Sequence, residues 1–314
     1  MLAVEDLKIR IGNIDLLRGL SFTLGRGETL ALVGESGSGK SLTALAIMGL
    51  LPPAMQVHGA IRLDGRDLLA LDEPAYCALR GRKIAMVFQE PMTALNPVMN
   101  VGAQIAEVLI QHGLLDRQAA LAEAARLLDR VGIADAATRL GSFPHELSGG
   151  QRQRVIIAMA IACQPTLLIA DEPTSALDAT VQVEIIELLA QIRAESGMGM
   201  LFITHDLGVV NRIADRVLVL YGGMAMEEGD AQDVIAAPRH PYTHGLIAAI
   251  PRGNARTRPL NPIPGQVPGA GRFPPGCAFF SRCPRATDLC RNVLPPLSED
   301  GHRAWCHHVG RKWA

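Results

Sequence analysis

The sequence predicts an α/β fold, a mostly parallel sheet flanked by helices, followed by a small irregular C-terminal extension. Three observations carry this. Apolar strand-like runs alternate with helix-like segments up to about residue 230, the pattern of a sheet covered by helices. Several runs are almost entirely apolar and end in polar or glycine-rich residues, as in "TLALVGESGSGKS", "LLIADE" and "LFITHD"; strands buried on both faces read this way. From about residue 251 the chain turns Pro-rich and loop-like, in "IPRGNARTRPLNPIPGQVPGAGRFPPGC".

Bulk properties narrow the function. At 314 residues the chain is long enough for about two domains. Its formal net charge of −1, from 30 Lys+Arg against 31 Asp+Glu, lacks the basic excess of a nucleic-acid binder. Apolar runs such as "VIIAMAIAC" fall well short of the ~18 residues that span a bilayer. The start "MLAVEDLKIR" has no basic region followed by an apolar one, so no secretory signal is expected. These features predict a cytoplasmic chain that meets membranes through other proteins.

The segment 29–51, "TLALVGESGSGKSLTALAIMGLL", reads as strand, Gly-rich loop and helix, and fits the G-x-x-x-x-G-K-[ST] pattern of a P-loop NTPase (RecA-like) core. Gly34, Gly37 and Gly39 let the backbone turn tightly, and the N–H groups of Glu35, Ser36 and Ser38 can point at phosphate oxygens. Lys40 supplies positive charge for the β- and γ-phosphates, Ser41 a hydroxyl for Mg²⁺, and the helix that opens through Leu42 its positive dipole end.

A second apolar strand ends in adjacent carboxylates, in "PTLLIADEPTSALD" over 165–178. Strand alternation sends them in different directions. Asp171 is suited to the Mg²⁺ shell and Glu172 to polarising an attacking water as general base. Another strand ends in Thr204, His205 and Asp206, at the sheet edge where ligands of open α/β sheets bind; His205 there can bond the γ-phosphate. Gln89, closing the strand in "IAMVFQEP", can reach the metal or the water. A further anion-type helix start stands at "ELSGGQRQRV", 146–155: Ser148 as cap, Gly149 and Gly150 with bare N–H groups, then Arg152 and Arg154.

Together, "GESGSGKS", Gln89, "LSGGQ", "LLIADE", "SALD" and His205 resemble the nucleotide-binding subunit of ATP-binding cassette (ABC) transporters, over residues 1 to about 225. The resemblance implies an N-terminal antiparallel β-subdomain and an inserted helical subdomain at about 92–160, within an ATPase domain at 1–230. It implies a head-to-tail pair of cassettes in which Ser148, Gly149, Gly150 and Gln151 grip the ATP held by the partner's cradle. Asp178 would lie on the seam and couple the two sites. Within the helical subdomain, 117–133 has Leu121, Ala125 and Leu128 at helical spacing after a cap at Asp116, and "EPMTALNP" is the expected docking stretch for a permease. Where relatives stack an aromatic ring on adenine, Ile11 stands here, and Phe22 lies too far along to replace it.

"PRHPYTHGLIAAIP" and the tail at 231–314 are similar to the extension of the oligopeptide, dipeptide and nickel importer branch. That implies a translocase ATPase at the cytoplasmic face of the membrane. Its partners would be a paralogous second cassette, two transmembrane permeases and, indirectly, an extracytoplasmic binding protein, with no nucleic acid. The alternative is an ABC ATPase of a soluble complex, such as a phosphonate-degradation assembly. The tail carries Cys277, Cys283, Cys290 and Cys306, four of the six cysteines. In a cytosolic loop-rich segment such a set suits Zn²⁺ or an iron–sulfur cluster, with His302, His307 and His308 as substitute ligands. The resemblance favours [4Fe–4S]. Cys77 and Cys163 are expected to be ordinary buried or half-buried thiols.

Overall fold

The computed structural model describes residues 1–89, 94–175, 177–250, 262–298 and 301–309. In chain order the elements begin with β1 (Leu2–Ile11), β2 (Ile14–Leu24), β3 (Thr29–Val33), α1 (Lys40–Met48), β4 (Met55–Leu63), β5 (Arg66–Asp67), α2 (Glu73–Leu79) and β6 (Ile84–Val87). Next come α3 (Val101–Gln111), α4 (Arg117–Arg130), α5 (Ala136–Arg139), α6 (Gly149–Ile161), β7 (Leu167–Asp171), α7 (Ala179–Ser196) and β8 (Gly199–Thr204). The remainder are α8 (Leu207–Ile213), β9 (Arg216–Tyr221), β10 (Met224–Asp230), α9 (Ala231–Ala236), α10 (Pro241–Ala248), α11 (Asp288–Asn292) and β11 (Arg303–Ala304). Two compact units result, Met1–Leu24 with Thr29–Leu69 and Thr204–Ala314, and Gly25–Glu28 with Ala70–Ile203.

In the first unit an antiparallel sheet runs β2-β1-β4-β5. β1 buries Leu2, Val4, Leu7 and Ile9, a pattern that skips a beat. The register with β2 shifts between Val4 and Leu7, and Asp6 in that gap has φ 45°. The extra residue of this bulge keeps both apolar pairs on the same face.

The same unit holds the strand run β11-β10-β9-β3. β3 lies parallel to β9, β10 antiparallel to β9, and β11 extends the edge antiparallel to β10. The C-terminal extension, irregular in backbone, thus gives a strand to this sheet. It also shares its core: Tyr242, Ile247 and Phe279 pack in one buried cluster with Val33, Val219 and Tyr221.

In the second unit β6, β7 and β8 are parallel and fully apolar apart from Asp171, Gly199 and Thr204. α3 packs against α4 and α6. Asp116 caps α4, its Oδ1 accepting from Ala119 N–H at 2.9 Å. The buried stripe of α4 is Ala120, Ala124, Leu127 and Leu128; of the expected positions Leu128 lies in it, whereas Leu121 and Ala125 are half-buried on its flank. Burying Leu127 and Leu128 contributes roughly 1.5–3 kcal/mol each. Among the described residues no helix is long and apolar enough to cross a membrane.

Candidate nucleotide site and its flanking motifs

The cradle lies in the first unit. β3 is wholly buried and delivers the chain to a loop, Gly34 to Gly39, that cannot carry side chains everywhere. A Cβ on Gly34 would lie 2.2 Å from Leu220 O. α1 starts at Lys40, and Gly39 offers no side-chain cap, so the first-turn N–H groups point into the loop. Lys40 is nearly buried, and its Nζ donates to Gly34 O at 2.7 Å and Glu35 O at 3.1 Å. The Ser38 hydroxyl is buried without a hydrogen-bond partner among the described residues. Such a group invites an acceptor, and a phosphate oxygen fits it. Ser41, the next hydroxyl, is exposed.

Glu35 is tied to the C-terminal extension, which the sequence reading missed. Its N–H donates to Tyr242 Oη at 2.8 Å. Its carboxylate accepts two bonds from Arg282, at 2.6 and 3.2 Å. Arg282 also donates to Pro264 O at 2.9 Å and Ile263 O at 3.3 Å. Burial pushes the Tyr242 hydroxyl well above its ordinary pKa, so it stays protonated and neutral. No local sequence pattern signals these contacts, because the partners are 207 and 247 residues from Glu35.

The carboxylate pair lies in the second unit. Asp171 is the last residue of β7 and is buried, whereas Glu172 is half-buried. Glu172 owes its direction to a turn rather than to strand alternation: its φ is 46°. A left-handed backbone at a non-glycine residue is uncommon and costs on the order of 1–3 kcal/mol. It is held by Glu172 N–H donating to Ile203 O at 2.9 Å, and by the Ser175 N–H and hydroxyl donating to Glu172 O, each at 3.2 Å. Gln89, exposed just after β6, donates from Nε2 to Glu172 Oε2 at 3.1 Å. His205 is exposed after β8, and the adjacent Asp206 caps α8 through Gly208 N–H at 2.7 Å.

The second anion-type helix start has a different construction. Ser148 caps α6 in a capping box, with Ser148 Oγ accepting from Gln151 N–H at 3.3 Å and Gln151 Oε1 accepting from Ser148 N–H at 3.0 Å. Gly149 is exposed. Gly150 also answers a packing constraint, since a Cβ there would fall 2.6 Å from Val181 Cγ1 on α7. The basic stretch expected beside this helix start has structural duties. Arg152 donates to Pro144 O at 2.6 Å, and Arg154 to Val131 O at 2.6 Å and Glu184 at 2.9 Å. Asp178 caps α7, accepting from Thr180 and Val181 N–H.

Of the expected docking stretch, Glu90, Pro91, Met92 and Thr93 lie outside the described residues, as does Ala176 of "SALD". The rest is stapled to α3 by buried Gln104, which accepts from Asn96 N–H and donates to the Asn96 and Met99 carbonyls. Ile11 closes β1 and is 38% exposed, while Phe22 is in the core, so Phe22 offers no ring to a base. Cys163 is half-buried, but Cys77 is exposed, because α2 buries only Tyr76.

Burial pushes the Cys277 thiol up to about 12 and Cys283 to about 11, and raises Cys306. The neighbouring tail cysteines add a smaller push in the same direction on Cys277, Cys283 and Cys306. Cys290 Sγ stands 3.5 Å from His308 Nε2. Metal ligation needs thiolates, and among the described residues no three His, Cys, Asp or Glu side chains are arranged to hold a metal ion. The expected iron–sulfur or Zn²⁺ site therefore has no support from this geometry.

Comparison with known proteins covers nearly the whole chain. The ABC transporter family model matches residues 17–175, and a model for the oligopeptide/dipeptide transporter C-terminal region matches 226–290. A putative peptide import ATP-binding protein of Brucella melitensis is 52% identical, covering 93% of this chain and 90% of that protein. The oligopeptide transport ATP-binding protein of Salmonella typhimurium is 48% identical, over 95% and 90%. The dipeptide transport ATP-binding protein of Bacillus subtilis is 45% identical, over 98% and 94%. Among solved structures, a dimeric ATP-binding cassette in a post-hydrolysis state with ADP and Pi matches with TM-score 0.65 and 29% identity, over 74% of this chain and 99% of that one. A cassette of an ABC transporter complex from Clostridium perfringens matches with TM-score 0.67 and 29% identity, over 75% and 90%. An ATP-binding cassette joined to an oligopeptide/dipeptide-type C-terminal region places this chain in the ABC transporter family.

Proposed function

We propose that this chain binds and hydrolyses ATP to drive an importer of di- or oligopeptides, or of a related small solute, from the cytoplasmic face of the membrane. The observation that carries the reading is the union, in one chain, of the cassette with the oligopeptide/dipeptide-type region. One relative is a peptide import protein by name and the others are oligopeptide and dipeptide transport proteins, which favours transport over a soluble complex.

In this reading the uncapped start of α1, the loop N–H groups other than that of Glu35, which Tyr242 Oη takes, and Lys40 bind the phosphates. Ser41, Gln89 and Asp171 offer a hydroxyl, an amide oxygen and a carboxylate, an oxygen-only donor set suited to Mg²⁺. When bound, Mg²⁺ supplies charge neutralisation on the phosphates. Glu172, aimed by its left-handed turn and held by Gln89, takes the proton of the attacking water. His205 bonds the γ-phosphate and steadies that water.

The exposed start of α6 offers its N–H groups to ATP in the cradle of a second cassette, with Asp178 on the seam. A dimeric structural relative supports this arrangement. The γ-phosphate then joins the two cassettes and its loss parts them. Exposed Val98 beside the docking stretch suits a permease contact.

The domain limits that accompany this reading are 1–230 and 231–314, with the helical subdomain at about 92–160. The finer assignment of a [4Fe–4S] cluster or Zn²⁺ to the four tail cysteines rests on their clustering in the sequence and on the resemblance alone; iron and zinc analysis of anaerobically purified chain decides it.

The test is affinity purification from gently solubilised membranes, with mass spectrometry of what co-purifies. Two permeases and a second cassette are expected. Recovery from the soluble fraction alone, with enzymes bound, would overturn the importer reading.

A further inference from the structure

We infer that the C-terminal extension is a working part of the nucleotide site: Arg282 and Tyr242 fix Glu35, and through it the first half of the phosphate loop, in the shape that receives ATP. The inference rests on the ATP-binding reading of the cradle and adds two positioning residues to it.

Glu35 is gripped at three points. Its carbonyl accepts from Lys40 Nζ at 3.1 Å, its N–H donates to Tyr242 Oη, and its carboxylate takes a two-pronged bond from Arg282. The first grip is the loop's own. The other two come from the extension. Arg282 is itself rigid, with its side chain 5% exposed, two further bonds to the Pro264 and Ile263 carbonyls, and its guanidinium 5.7 Å from the centre of the Tyr221 ring. Tyr242 is equally fixed, wholly buried and edge-on to Tyr221 at 4.7 Å. Tyr221 follows Leu220, whose carbonyl walls in Gly34. Anchor and wall of the loop thus belong to one packed body.

The physical consequence follows from the loop's composition. Glycines at 34, 37 and 39 leave the backbone many conformations to lose on binding. Fixing Glu35 beforehand removes part of that cost and strengthens binding. The Glu35 carboxylate is 30% exposed, so its charge is partly screened, but a bidentate Arg–carboxylate pair keeps its geometry where a Lys pair does not.

The test is calorimetric titration of the purified full chain with Mg-ATP, for wild type, Arg282→Gln, Glu35→Gln and the double variant. Each single change is expected to weaken binding about tenfold. The double variant is expected to bind no worse than the weaker single, and Arg282→Lys to fall between wild type and Arg282→Gln. In the assembled complex the loss should appear in KM for ATP, with kcat changed much less.

A purely structural Arg282 would show its full effect again in the Glu35→Gln background, and that result overturns the inference. Should Arg282→Gln fail to fold, Tyr242→Phe keeps the ring and removes only the hydroxyl facing Glu35. Several-fold weaker binding supports the inference, and unchanged binding in both Tyr242→Phe and Glu35→Gln overturns it. A wild-type chain that binds no ATP overturns the underlying reading as well, which separates the two failures.

Discussion

Gln89 Nε2 lies 3.1 Å from Glu172 Oε2, joining the end of β6 to the strained turn after β7. An amide that donates to a carboxylate makes a charge-assisted hydrogen bond and limits its rotation. Hydrogen bonds to charged groups are worth roughly 1.5–3 kcal/mol. Gln89→Ala is therefore expected to lower kcat for ATP about 10- to 100-fold with little change in KM, measured by steady-state phosphate release. Equal loss in wild type and in a Glu172→Gln background would show that Gln89 does not act through Glu172.

Gly150 tests the packing of α6 against α7. A methyl group there would meet Val181 Cγ1 at 2.6 Å, and overpacking of this kind costs about 1–3 kcal/mol. Gly150→Ala should lower the urea midpoint accordingly, and Val181→Ala in the same chain should restore part of it. An unchanged midpoint in Gly150→Ala would mean that α6 and α7 have room to spare.

His240 gives the extension an acid limit. It is wholly buried beside Phe279, its Nδ1 accepts from Tyr242 N–H at 3.0 Å, and its backbone N–H bonds Glu227. Burial lowers its pKa from 6.5 to about 4, against the opposing pull of Glu227. The unfolded chain thus binds this proton first as pH falls. The contribution is fully present above about 6.5 and is lost between there and about 4, amounting to about 3 kcal/mol. Urea unfolding over that range should show the slope in wild type and its loss in His240→Asn, whose amide oxygen can still cap α10. The same slope in both would assign the acid limit to other groups.

Much of the fold was legible because it rests on local pattern. The apolar strands β3, β7 and β8 and the cap at Asp116 are visible in a few residues each. The cradle at 34–41 is legible for the same reason, its glycines answering to one loop. Legibility ended where contacts join distant segments. The pairing of Glu35 with Arg282 leaves no periodic trace, and neither does the addition of β11 to β10. Of the α4 stripe Leu128 was legible, but Ala120 and Ala124 took the places expected of Leu121 and Ala125, since Leu and Ala at 120–128 allow adjacent apolar faces and the choice is made by α3 and α6. The direction of Glu172 depends on one backbone angle that strand alternation does not encode. Arg152 and Arg154 read as an anion site because charge is visible in sequence and its partners are not.

The central claim is that Glu172 is the general base of an ATPase, and single-turnover ATP hydrolysis by the membrane-purified complex carrying Glu172→Gln tests it most directly. General-base catalysis contributes about 10²–10⁴-fold. The account predicts ATP bound as tightly as in wild type and hydrolysed at least a hundredfold more slowly. Hydrolysis at the wild-type rate, with ATP bound normally, would contradict it.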